Sequence, residues 1–161
     1  KPVFIPKEIF YKTRTAYQEN VFIQNLLSNI KFPFNSSDVE KVIAQYHLGT
    51  ITRGYRKGAT TFPFIDIDEN VRAIQVKQFN KTNHTTRTDF LHSIIEKYHK
   101  QNKQDVPNWL KAYNKNETKV SCLFGEHLLT KYPNNPIALV EAPKTAIYGT
   151  LYFGFPNNPK H

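Results

Sequence analysis

Apolar residues recur along this chain with more than one period, and the changes of period divide it. Up to about Tyr46 the spacing is helical. Pro6 is placed to open a helix through Ile9, Phe10 and Thr13, and Asn20 to cap a second that carries Phe22, Ile23, Leu26, Leu27 and Ile30. Phe32-Pro33-Phe34-Asn35 breaks the pattern. Ser37-Asp38-Val39-Glu40 then has the form of a capping box, ahead of an apolar face of Val39, Val42, Ile43 and Tyr46 that ends near Gly49. The faces of these three helices are suited to packing.

The middle of the chain changes to strand spacing. Ala59 to Asp66 and Val71 to Phe79 read as two strands, and the polar connection Asp66-Ile67-Asp68-Glu69-Asn70 makes them a hairpin. Pro63 has no N–H to give to a ladder, so the first strand is expected to be an edge there or to be bulged. Helical spacing returns from Thr88 to Gln101, with Phe90, Leu91, Ile94, Ile95 and Tyr98 inward, and in a short helix from Pro107 to Tyr113 whose Trp109 belongs in a core. Asn114 to Lys119 is a polar loop, and Ser121 to Leu129 leads into another short helix. The last pattern is different again. Ile137-Ala138-Leu139-Val140 is a continuous apolar run of the kind buried on both faces of a parallel sheet, and Pro143 fits the first turn of a helix reaching about Phe153. Glu141 is thereby expected at the carboxyl end of a strand, where open α/β sheets build their sites. The alternative is that it only complements the positive end of the following helix.

The 161 residues suffice for one domain with a core or for two small lobes, and 39% hydrophobic with 14% aromatic residues is globular composition. A formal net charge of +9 favours a polyanionic partner. No apolar run reaches the roughly 18 residues of a membrane helix and no signal peptide is visible, so a cytoplasmic protein with no membrane partner is expected. Cys122 is the single cysteine; between Val120 and Leu123-Phe124 it reads as a small core residue. His92 and His99 have no acidic or cysteine partner at metal-ligand spacing, and adjacent Glu126 and His127 diverge by about 100° on a helix. The absence of Met and the Gly/Pro/Asn-rich end after the best βα unit read as a piece of a longer protein.

The basic charge has two places of interest. Arg53-Gly54-Tyr55-Arg56-Lys57-Gly58 puts three cations and a ring on a flexible loop, able to follow a phosphate backbone with a ring for stacking, or simply to be a solvated turn. Between Arg72 and Lys131 eleven Lys or Arg face five Asp or Glu, without forming one stripe.

The order of these segments is similar to that of a known family. A capped helix ending in Tyr46-His47-Leu48-Gly49, the strand Gly58 to Asp66, the return strand Val71 to Lys77, Leu123-Phe124-Gly125, and Ile137 to Ala146 together resemble the catalytic core of bacterial DNA primases, close to the primase-like proteins of Bacteroidetes mobile elements. The resemblance covers about residues 36 to 155 and rests on the order and spacing of five short motifs. It implies an α/β (α+β) fold: a helical segment 1–57, a primase-like hairpin and helical lobe 58–131, and at 132–161 the truncated start, one βα unit, of a TOPRIM-like domain. Glu141 then matches the TOPRIM glutamate of metal-dependent phosphoryl transfer, Lys77 lies near a basic residue at the hairpin end, and Arg53, Arg56 and Lys57 occupy a basic loop; with Lys144 these are the expected nucleic-acid contacts. Ala142 replaces the usual glycine, and Lys144 stands where the family has an uncharged residue. The family's Asn-Ser-Pro-Glu-Thr segment is missing around Asn80 to Arg87, and its aspartate pair lies on a later strand.

The implied function is single-stranded DNA binding and, in the intact protein, primer synthesis from nucleoside triphosphates with Mg²⁺. Its implied partners are single-stranded DNA, RNA/DNA and a replicative helicase. Glu141 could hold the metal only with carboxylates from outside this chain, so this stretch alone is expected to be inactive. The alternatives are a non-catalytic nucleic-acid-binding module on the same scaffold, or a TOPRIM nuclease.

Overall fold

The computed structural model describes residues 1–156 and 158–160; of the terminal loop expected from the sequence, Asn157 and His161 lie outside the described residues. The fold is mixed α+β, with a four-stranded antiparallel sheet in the order β1-β2-β3-β4: β1 Gly49–Thr50, β2 Thr60–Ile65, β3 Val71–Phe79 and β4 Thr85–Phe90. The hairpin expected from the change of period is β2–β3, in the register Thr60↔Lys77 to Ile65↔Val71 with a bulge between Phe64 and Ile65. Pro63 is tolerated because β1 pairs only with Thr60 and Thr61, which leaves β2 an edge at the proline. The hairpin turn is organised by Asp66, whose Oδ1 accepts from the amides of Asp68 and Asn70.

Helices cover both faces. α1 (Lys7–Thr13), α4 (Leu91–Gln101) and α5 (Asn108–Asn114) join the aliphatic side, where Ile65, Ile74 and Val76 meet Leu91, Leu110 and Tyr113. On the other side α2 (Val21–Gln24, continued by a π-turn at Asn25–Asn29), α3 (Ser36–Tyr46) and α7 (Pro143–Phe153) pack Phe22, Leu26, Val42, Ile147 and Leu151 over Phe62 and Phe79. Phe22 and Phe79 are 4.6 Å apart between ring centroids. Residues from 1–57, 58–131 and 132–161 thus share this core. α6 (His127–Lys131) follows Phe124, whose ring stacks on Tyr46 at 5.1 Å.

Asn20 is the cap expected for α2, and it is satisfied on every side. Its Oδ1 accepts from the Ile23 amide and the Thr60 hydroxyl, and its Nδ2 donates to Gly49 O and Thr50 Oγ1, so one buried side chain ties α2 to two strands. Gly49 is needed where it stands, since a Cβ there would come within 2.3 Å of the Thr13 carbonyl oxygen.

Four expectations are corrected. α3 is capped by Asn35, whose Oδ1 accepts from the Asp38 amide, and not by the Ser37 box; it ends at His47 in the left-handed region. Thr88 to Phe90 belongs to β4, not to a helix, because it pairs with β3 from Gln75 to Lys77. The loop holding Tyr55 is tied down: Gly58 N donates to Ile51 O at 2.8 Å and Ile51 N to Ala59 O at 2.9 Å. Finally, Ile137 to Val140 is no strand. Among the described residues no strand runs beside it to take up its N–H and C=O groups, and Ile137, Leu139 and Val140 are 67, 80 and 46% exposed. Glu141 therefore ends no strand, although α7 begins at Pro143 as the sequence predicts.

Cys122 is half-buried beside the core, and burial pushes its thiol up to about 11, far from a reactive thiolate.

Candidate nucleic-acid interface

β3 carries its side chains alternately to the two helical layers. Gln75, Lys77 and Phe79 fall on the aromatic side, opposite Phe62 and Thr60 in the ladder. Lys77 is only 9% exposed, yet no carboxylate or hydrogen-bond acceptor partners it among the described residues. Burial lowers its pKa, and the nearby Lys144 ammonium lowers it further. Two residues earlier the Gln75 Oε1 is also buried without a donor.

Lys144 lies in the first turn of α7 and its Nζ donates to Asn83 O at 2.9 Å. That carbonyl is presented by the β3–β4 turn, where Asn80 Oδ1 accepts the Thr82 and His84 amides and Asn83 adopts φ 60°. Asn83 is itself held, donating to Phe22 O and Tyr148 Oη and accepting from Asn25 Nδ2 at 2.7 Å. Two ammonium groups are therefore fixed near the entry of a helix whose first turn has no side-chain cap and starts with proline. Such an end carries partial positive charge, and the combination can hold a phosphate oxygen.

Arg53, Arg56 and Lys57 belong to the loop between β1 and β2. Arg56 Nε donates to Asp89 Oδ2 at 2.5 Å and its Nη1 approaches Gln78 Oε1 at 3.4 Å. Gln78 and Asp89 lie on the face of β3 and β4 opposite Lys77. Of the five cations named from the sequence, Lys77 and Lys144 thus lie toward α7 and Arg56 reaches the opposite face of β3 and β4, while Arg53 and Lys57 are exposed in the same loop as Arg56. β4 is the last strand of the sheet and Thr85 to Thr88 are exposed.

Glu141 is exposed and precedes α7 by two residues, and among the described residues no hydrogen bond or ion pair joins it to another group. Among the described residues no three His, Cys, Asp or Glu side chains form a metal-ligand group. An exposed carboxylate with no further ligand beside it does not by itself fit Mg²⁺, which demands near-octahedral oxygen coordination.

Sequence reasoning did not find the asparagine network, although Asn80 and Asn83 around Lys81-Thr82 carry a turn signature. It also passed over a histidine pair. His127 is paired with His47, 80 residues away, at 5.3 Å between rings. Its Nε2 donates to Gln45 O, which leaves Nδ1 bare and buried. Burial holds His127 below its ordinary value; His47, buried and near Arg14, is lowered to about 4. The two rings line a pocket of about 450 Å³ with Asp68, Glu69 and Lys131.

Fold and surface together define a mixed α+β protein with cations on either side of an exposed edge strand. Residues 20–158 match the family described as a domain of unknown function, DUF6371, and the chain belongs to that family. No curated protein and no solved structure matches the sequence.

Proposed function

We propose that this chain is a single-stranded nucleic-acid-binding module on a primase-like scaffold. The observation that carries the reading is Lys77, a side chain largely buried with no acid beside it and with a second ammonium, Lys144, as its charged neighbour. Burying a cation without an anion is costly, and a phosphate entering beside the first turn of α7 would remove that cost. The test is fluorescence anisotropy with a labelled single strand across a salt series. Binding should weaken steeply with salt, and Lys77→Met with Lys144→Met should flatten the log–log slope by about 0.7 for each phosphate that the protein no longer neutralises. Absence of binding at about 50 mM salt, or an unchanged slope, would overturn it.

A second reading rests on the sequence resemblance, in which Glu141 matches the TOPRIM glutamate, although here it ends no strand and stands two residues ahead of α7. In a protein supplying further carboxylates it would take part in Mg²⁺-dependent primer synthesis from nucleoside triphosphates. Glu141→Gln in the full-length protein should abolish primer synthesis and spare binding; undiminished synthesis would sink the assignment.

A further inference from the structure

Tyr55 stands at the tip of the loop between β1 and β2 and is 50% exposed. Two cations lie within cation–π range of its ring, the Arg56 guanidinium at 4.5 Å and the Lys97 ammonium at 5.1 Å from the centroid. They are not equivalent. Arg56 is fixed by Asp89 and Gln78, whereas Lys97 projects from α4 into solvent with no partner among the described residues except this ring. The loop backbone that carries the ring is closed as well, because Lys57 N donates to Gly54 O, Ala59 N to Arg56 O, and Gln78 Nε2 approaches Tyr55 O. Gly54 and Gly58 supply the positive φ values that this tight loop requires.

A half-exposed aromatic ring on a loop already closed by its own hydrogen bonds is pre-organised, so little ordering entropy is lost when something stacks on it. The local charge says what that something is. Arg53, Lys57 and Lys97 are exposed cations around the ring, Arg87 is exposed across the ladder from Gln78, and the nearest acidic groups are already engaged, Asp89 with Arg56 and Glu96 with Lys100. An acidic peptide would answer the charge but has no flat face for the ring. A single nucleic-acid strand offers both in each nucleotide.

We infer that Tyr55 is a stacking platform for an unpaired nucleobase, with Arg56 holding the ring and Lys97 leaving it for the adjoining phosphate. The inference rests on the nucleic-acid reading above and specifies where the base goes. Phosphates run past Lys77 and Lys144 on one side of β4, and a base is received on the other.

Anisotropy with a thymidine oligomer of about 16 nucleotides, its uridine counterpart and an abasic oligomer of equal length tests this in the full chain. Tyr55→Ala should weaken thymidine binding about five- to a hundredfold, Tyr55→Phe should bind like the unaltered protein, and the salt slope should not move. The abasic oligomer should bind both proteins alike; equal loss on it would make Tyr55 structural and overturn the platform. The thymidine and uridine arms decide between DNA and RNA as the source of the base. Photo-cross-linking of a 5-iodouracil oligomer to unaltered protein reads the stacking partner without a variant, and adducts elsewhere with none at Tyr55 would also overturn it. If unaltered protein binds no oligomer, both readings fall. If binding is lost on Lys77→Met with Lys144→Met but kept on Tyr55→Ala, only the platform falls. Displacement of thymidine by polyglutamate as readily as by unlabelled oligomer would assign the surface to acidic peptides instead.

Discussion

On the α7 side of the sheet the core is aromatic and has polar side chains set into it; on the α4 side it is mainly aliphatic and keeps its cations outside. The α7 side buries Asn20, Asn25, Asn83, Thr60 and Lys77 around Phe22, Phe62 and Phe79. The α4 side packs Ile65, Ile74, Val76, Leu91 and Leu110, and its Tyr113 hydroxyl is answered by Arg72 O at 2.6 Å. Buried polar groups are expected to have partners, and the asparagines do. The Gln75 side-chain oxygen does not, and neither do Thr61 Oγ1 and His92 Nδ1 on the α4 side, so what sets the α7 side apart is Lys77, a largely buried cationic side chain with no acid beside it.

The largest expected effects test whether the two sides are separable. Phe62→Ala should cost about 3–5 kcal/mol and Leu110→Ala about 2–5 kcal/mol in urea unfolding, since both side chains are fully buried. Their effects on binding should differ. Phe62 touches Phe22, Phe79 and Phe124 in the core that seats α7, so its loss should also weaken single-strand binding, measured where the variant is still folded. Leu110→Ala should leave binding unchanged; an equal loss there would break the comparison.

The same contrast explains what could be read from the chain. β2 and β3 were legible because their apolar residues meet helices on both faces and the turn at Asp66 has its chemistry in the sequence. α7 was legible from Pro143. β4 was not, because Thr-Thr-Arg-Thr-Asp-Phe is an exposed edge with no apolar alternation; only its pairing with β3 makes it a strand. Ile137 to Val140 failed for the opposite reason: apolar residues make a buried strand only when neighbouring strands enclose them. Of the site, Lys144 and the loop cations were visible as charges. The partnerless burial of Lys77 was not, because an alternating strand does not say whether a lysine at an inward position finds an acid.

A smaller effect should come from pH. His47 is lowered to about 4 and His92 and His127 are lowered as well, in each case chiefly by burial. Above their ordinary value of about 6.5 these groups are neutral in both folded and unfolded chains and do not affect stability. As pH falls below that, the unfolded chain takes up protons first and stability declines until the folded values are reached. His47 faces Arg14, Lys131 and the His127 ring, so its proton is the least welcome. Unfolding free energies from urea denaturation should fall between about pH 7 and about pH 4.5 for the unaltered protein, by about 1–3 kcal/mol in total. His47→Asn, which keeps a residue tolerant of the left-handed conformation, should reduce that fall. An identical acid slope in the variant would place the sensitivity elsewhere.

The smallest stability change belongs to Lys77, the residue on which the binding reading rests. Lys77→Met keeps the aliphatic stem against Thr60 and Thr88 in the ladder and removes an ammonium with no anion beside it. Replacing such a charge by a packed apolar group is neutral or stabilising, so a gain of about 0–1 kcal/mol is expected near neutral pH. The sign of its pH dependence separates this from a packing effect. The folded pKa of Lys77 lies below its ordinary 10.5, so the unfolded chain holds that proton to higher pH. As pH rises through this window the native lysine loses its charge and the unaltered protein gains stability relative to Lys77→Met. The advantage of the Met variant should therefore be greatest near neutrality and shrink toward about pH 10. Thermal melts of the two proteins across that range read it directly. A Met variant that is less stable at neutral pH would mean that Lys77 has an anionic partner within the chain, and the contrast between the two sides of the sheet would lose its basis.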